Sequence, residues 1–154
     1  MKPSILLRIA SVLTLVFCAG HTYRALEPTS RGAEEAAVFM AMQAYPFSIM
    51  GFRRTHWDFY RGFSLLFAVS LLLLALLLWQ LGAMARSDAA RTRPLVATLF
   101  AGYMGFTVLC GMYFFTAPAV FSAAVAICLM LAFTASSKAA AVTLASPGDR
   151  NRVR

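Results

Sequence analysis

Charge is what this sequence has least of. Charged residues make up 13% of its 154 positions, about half the ~25% of an ordinary globular chain. They are missing altogether from the 44 residues between Arg93 and Lys138, and from the 24 between Arg61 and Arg86. This excludes the intramembrane carboxylates and cations that mark proton relays and ion sites inside a bilayer. With only scattered Ser and Thr left there, a channel or transporter is the least supported function class. Cys18, Cys110 and Cys128 all sit in apolar runs without a C-x-x-C pair. The two histidines, His21 and His56, do not complete a zinc spacing with them. No metal and no cofactor is expected, and the thiols read as inert.

What is present is apolar. Hydrophobic residues make up 60% of the chain, above the usual globular fraction of about 45–50%, so lipid must cover what protein cannot. The net charge of +8 gathers in short segments beside apolar runs instead of a stripe on a soluble face. That distribution argues against nucleic acid as a partner and for membrane lipids. A helix needs roughly 20 apolar residues to cross a bilayer, and four such crossings are expected, over 5–26, 58–85, 95–115 and 118–137. The uncharged 44-residue block divides at Thr116-Ala117-Pro118, because proline disfavours helix in the residue before it and suits a helix start. The expected fold is an all-α integral-membrane four-helix bundle in a single domain over residues 1–140. A flexible basic tail over 141–154 would lie near anionic head groups.

The first crossing is broken only by Arg8, whose long side chain can snorkel to the nearer interface. Lys2 and Arg8 ahead of an apolar run also fit a cleaved leader. Phe17 before Cys18 and the lack of a clear A-x-A pair favour a retained helix. Four crossings put both termini on one side. The termini and the loop from Arg86 to Pro94 carry nine Lys and Arg residues, against five on the opposite side. By the positive-inside rule the termini are expected in the cytoplasm of a bacterial cell, in its inner membrane. Small residues allow helices to approach closely in lipid. Thr98, Ala101, Gly102 and Gly105 of the third crossing are therefore expected to face Ala119, Ser122, Ala123 and Ala126 of the fourth. Leu71 to Leu74 and Leu76 to Leu78 suggest that the second crossing faces lipid or a partner, with Trp79 and Gln80 anchoring its inner end.

The exported loop from Arg24 to Trp57 holds most of the functional groups. Thr29 or Ser30 can cap a helix starting near Arg31, with Glu34 and Glu35 in its first turns and Pro46 marking its end. Its body, Ala36 to Tyr45, is too apolar for water and too short to cross. A short interfacial helix, or lid, is expected. The segment that follows, Met50 to Ser64, admits two readings. Thr55 and Asp58 have the spacing of a capping box, Trp57 and Tyr60 suit the membrane interface, and Arg61 lies one turn from Asp58. Alternatively His21, Arg53, His56, Trp57, Asp58, Tyr60 and Arg61 line a ligand site under the lid, with Glu34 or Glu35 joining it. Arginine would then hold an anionic group and His and Asp would exchange protons.

The run Arg54-Thr55-His56-Trp57-Asp58-Phe59-Tyr60-Arg61-Gly62-Phe63, followed by a leucine-rich helix ending Leu78-Trp79-Gln80-Leu81, resembles a group of small bacterial membrane proteins with four crossings. The likeness is firmest over about residues 50 to 81 and extends to His21-Thr22. It implies fold and location and no particular activity. In size and helix count the chain is also similar to DoxX-like proteins and to the sterol isomerase and sigma-2 receptor superfamily. The acidic pocket residues of that superfamily have no counterpart in the middle of any helix here. The leading expectation is an accessory or assembly partner of a membrane complex, engaging another membrane protein or further copies of itself. The alternative is a binder of lipid or a small hydrophobic ligand, with enzymatic action open.

Overall fold

The computed structural model describes residues 1–27 and 29–145, with side chains to residue 137. The fold is all-α apart from one small hairpin. In chain order it comprises α1 (Pro3–Leu26), α2 (Ala33–Ala44), β1 (Pro46–Ile49), β2 (Phe52–Thr55), α3 (His56–Met84), α4 (Ala89–Tyr113) and α5 (Thr116–Ala145). Among the described residues α1, α3, α4 and α5 are long and apolar enough to cross a membrane. The chain is therefore a multi-pass membrane protein. At ~1.5 Å per residue, the 24 residues of α1 span about 36 Å, enough for a hydrocarbon core of ~30 Å.

Packing divides the chain into two units, one of Met1–Phe17 with everything from Leu73 onward, the other of Cys18–Leu72. The first unit is a four-helix arrangement around one core. Leu6, Leu7 and Ala10 of α1 and Leu78, Leu81 and Ala85 of α3 meet there with Val96 and Tyr103 of α4 and Val125, Ala126, Leu129 and Ala132 of α5. Lipid offers no hydrophobic reward for helix association, so fit and polar contacts must supply it. Ser11 Oγ donates to the Ala75 carbonyl at 2.7 Å. Thr14 Oγ1 donates to the Ala10 carbonyl at 2.9 Å and lies 2.8 Å from the Tyr103 hydroxyl. The one proton of Thr14 is used on Ala10, so Tyr103 is the donor in that second bond. At Gly82 α3 approaches α1 closely: a Cβ there would stand 3.1 Å from Arg8 Cγ and 3.2 Å from the Ser4 carbonyl oxygen.

α4 and α5 pack together as expected, but not through the expected face of α4. Its buried seam is Thr92, Val96, Tyr103 and Cys110, spaced by four and seven residues. A Cβ added to Gly102 or Gly105 would meet nothing within 4 Å, and Thr98 is exposed, its hydroxyl bonded to the Pro94 carbonyl. The Tyr103 ring fills the interior here, and its hydroxyl finds a partner only inside. That turns the neighbouring glycines outward. On α5, Ser122 and Ala126 are buried as anticipated, and Ala119 and Ala123 are half-buried. On α3, Leu71 and Leu78 are fully buried while Leu72, Leu73, Leu76 and Leu77 are exposed. The leucine run is thus one inward stripe and one outward band.

Boundaries shift where capping chemistry decides them. α4 starts at Ala89 instead of Leu95 because the Asp88 carboxylate accepts the Arg91 amide at 3.0 Å. Pro94 is accommodated near the helix start, and the expected loop from Arg86 to Pro94 shrinks to a turn. α5 runs on to Ala145. Of the tail expected over 141–154, residues 146–154 lie outside the described residues.

The second unit contains the end of α1, α2, the hairpin and the first half of α3. Cys18 Sγ donates to the Ala68 carbonyl at 3.3 Å. α2 caps differently from expectation: its N-cap is Gly32, without a side-chain bond, and the Arg31 amide donates to the Glu35 carboxylate. None of its residues is buried. β1 and β2 pair antiparallel, Ile49 opposite Phe52 and Phe47 opposite Arg54. A two-residue turn joins them, with φ of +51° at Met50 and +86° at Gly51, the type I′ sign pattern whose twist suits a hairpin. Glycine accepts that geometry freely, whereas Met50 bears a left-handed cost of about 1–2 kcal/mol.

Candidate functional site

Facing residues in the hairpin share a side. Phe47, Ile49, Phe52 and Arg54 therefore lie on one face, and Pro46, Ser48, Arg53 and Thr55 on the other. The Arg54 guanidinium lies 5.7 Å from the Phe52 ring centroid, and its Nη1 donates to the Arg53 carbonyl at 2.8 Å. β2 runs directly into α3, where the capping box forms as its spacing implied. The Thr55 amide donates to Asp58 Oδ2 at 2.8 Å and the Asp58 amide to Thr55 Oγ1 at 3.2 Å. The Thr55 hydroxyl adds a bond of 2.9 Å to the same carboxylate oxygen. Asp58 thus satisfies helix-end donors, and among the described residues it forms no ion pair with Arg61, which stays half-buried.

The aromatic side chains of this segment gather into a collar. His56 stacks on Tyr45 at 6.0 Å and meets Phe47 at 4.9 Å. Phe59 contacts Phe47 at 5.5 Å and Phe63 at 6.1 Å. On the adjoining face, Trp57 touches Phe39 of α2 at 5.0 Å and stacks on Tyr60 at 5.6 Å. Helical spacing explains the two rows, since His56, Phe59 and Phe63 repeat at three and four residues and Trp57 and Tyr60 at three. Most of this surface faces outward: Phe52, Phe63 and Met50 are 65%, 67% and 93% exposed.

His21 takes no part in the collar. Its ring nitrogen lies 2.9 Å from the Ser64 carbonyl and its ring meets Phe67 edge-on at 5.0 Å. Ser64 is eight residues along α3 from His56, about 12 Å at the helical rise. The structure therefore puts His56 in one aromatic row and Trp57 with Tyr60 in the adjoining one, ties Asp58 to Thr55, places Arg53 and Arg54 on opposite hairpin faces, and assigns His21 to helix packing. A shallow open groove lined by Arg54, Asp58, Phe59, Gly62, Phe63 and Leu66 runs beside the collar. Among the described residues no three His, Cys, Asp or Glu side chains converge as metal ligands. Sequence reasoning missed Tyr45 and Phe47 because it missed the hairpin. Gly51, closing the short alternating stretch Phe47-Ser48-Ile49, was the available signal, since glycine punctuates tight turns.

Compared with family models, curated proteins and solved structures, the chain matches none.

Proposed function

We propose that this protein is an accessory or assembly partner in a membrane complex, docking on another membrane protein through the aromatic collar. Its placement in a bacterial inner membrane with both termini cytoplasmic belongs to the same proposal, and rests on the excess of Lys and Arg beside the termini. One observation carries the docking reading: Ile49, Met50 and Phe52 of the hairpin and Phe59, Tyr60 and Phe63 in the first turns of α3 are all exposed, apolar and largely aromatic. Aromatic residues, Met and Arg are the types enriched where proteins meet, and contiguous exposed apolar patches mark such contacts. Catalysis draws less support, because Asp58 is committed to Thr55 and His21 to the α3 backbone.

A photo-crosslinking residue placed at Phe52 or Phe63 in living cells tests this reading, with Leu76 on the outward band of α3 as the control. A discrete protein adduct is expected from the two collar positions and not from Leu76. An adduct with twice the mass of the chain would identify a second copy as the partner. Equal background at all three positions refutes the proposal.

A further inference from the structure

Where α1 begins in the first unit, two arginines each lie against an aromatic ring. The Arg8 guanidinium lies 4.6 Å over the Trp79 ring and that of Arg93 lies 4.6 Å over the Phe133 ring. Each has a buried Nε that finds no acceptor among the described residues. A ring face attracts a guanidinium without using its N–H donors, which stay available to an acceptor. A buried charged donor without an acceptor is costly. Among the described residues of this unit Asp88 is the sole acidic one, and it is taken up in capping α4. Lys2, Arg86 and Arg91 add further positive charge at the same helix ends.

Depth points to the source of the acceptor. Arg8 lies five residues into α1 and Arg93 four into α4, roughly 6–8 Å from the helix ends at the helical rise. The bond between Thr14 and Tyr103 couples these two parallel helices and puts Arg93 about one turn, ~6 Å, nearer that end than Arg8. A crossing of ~30 Å leaves such positions at the border between acyl chains and head groups.

We propose that Arg8 and Arg93 each bind the phosphate of an anionic phospholipid in the leaflet at the N-terminal end of α1. Each guanidinium is held over its aromatic partner and offers N–H donors to phosphate oxygens as charge-assisted hydrogen bonds. Each site is separate from the collar and holds whether or not the collar docks a protein.

The test uses the full chain in mild detergent, titrated with phosphatidylglycerol and read by native mass spectrometry. Arg8→Gln and Arg93→Gln are each expected to weaken lipid retention roughly fivefold to tenfold, and Arg86→Gln, at an exposed position, by less than about twofold. Arg8→Lys keeps the charge and the helix but loses the planar fork, so weakened retention is expected there too. Retention unchanged in all three variants at Arg8 and Arg93 would overturn both sites. So would an equal loss in Arg86→Gln, which would mean diffuse attraction to basic helix ends. Inorganic phosphate is expected not to displace the lipid; displacement would assign the sites to the free ion instead.

Discussion

The hydroxyl pair at the centre of the first unit gives the sharpest test of how these helices hold together. Thr14 is fully buried and Tyr103 is 1% exposed, and Thr14 has already donated its proton to Ala10. Tyr103→Phe therefore removes a donor while leaving Thr14 with its own bond intact. The loss should be near the ~0.6 kcal/mol average of interhelical hydrogen bonds in lipid. Thr14→Val is different, because it keeps the shape of the side chain yet strands the Tyr103 hydroxyl in a site from which water is excluded. That orphan should cost about 1–3 kcal/mol. In the double variant the orphan disappears with its hydroxyl, so the combined loss should fall short of the two single losses together by about 1 kcal/mol. Reversible unfolding in mixed micelles with increasing dodecyl sulfate, followed by far-ultraviolet circular dichroism, measures all three. A Thr14→Val loss no larger than that of Tyr103→Phe, or strict additivity, would refute the placement of the Tyr103 hydroxyl against α1.

Two glycines should respond in opposite ways to the same change. Gly82→Leu forces a side chain into the Arg8 and Ser4 contacts and should cost about 1–3 kcal/mol, whereas Gly102→Leu points into open space and should be neutral or slightly stabilising in the same unfolding assay. Asp58→Ala removes the α3 cap and should lower stability by about 1 kcal/mol while leaving crosslinking from Phe63 in place; loss of the crosslink at unchanged stability would restore a functional role for that carboxylate. In a cysteine-free background, Arg54→Cys should react with a membrane-impermeant maleimide added to whole cells and Ala90→Cys should not, and the reverse pattern would invert the topology.

The long elements were readable because their signal is physical and redundant. Dozens of consecutive uncharged residues leave a helix as the one local structure that satisfies every backbone group in lipid, and the break at Pro118 and the cap at Thr55 follow from the chemistry of single residues. Side-chain direction was less readable. Gly102 and Gly105 carry the spacing of a close helix contact, but that spacing names a face without naming its partner. The bulky Tyr103 between them, whose hydroxyl needed a buried acceptor, determined which face turned inward. Gly82 has the small Ala85 at that same spacing of three, and its close approach still depends on what α1 places opposite.

The hairpin was hidden for a related reason. Strands of four residues carry little periodicity, and Met50 in the left-handed region contradicts its own local preference. Such a turn persists only where its surroundings repay the strain. Here the return is the aromatic contact of Phe47 with His56 and Phe59, which binds β1 to the start of α3. Because the helix interiors lack ionisable groups, specificity has to be carried by what lies at their ends. The second unit sets a strained hairpin and exposed aromatic rings beside the first turns of α3; in the first unit, where α1 begins, guanidiniums lie over Trp79 and Phe133, each with an Nε that no described residue accepts from. A chain with so little charge places its remaining polar and aromatic groups where another molecule, protein or lipid, can complete them.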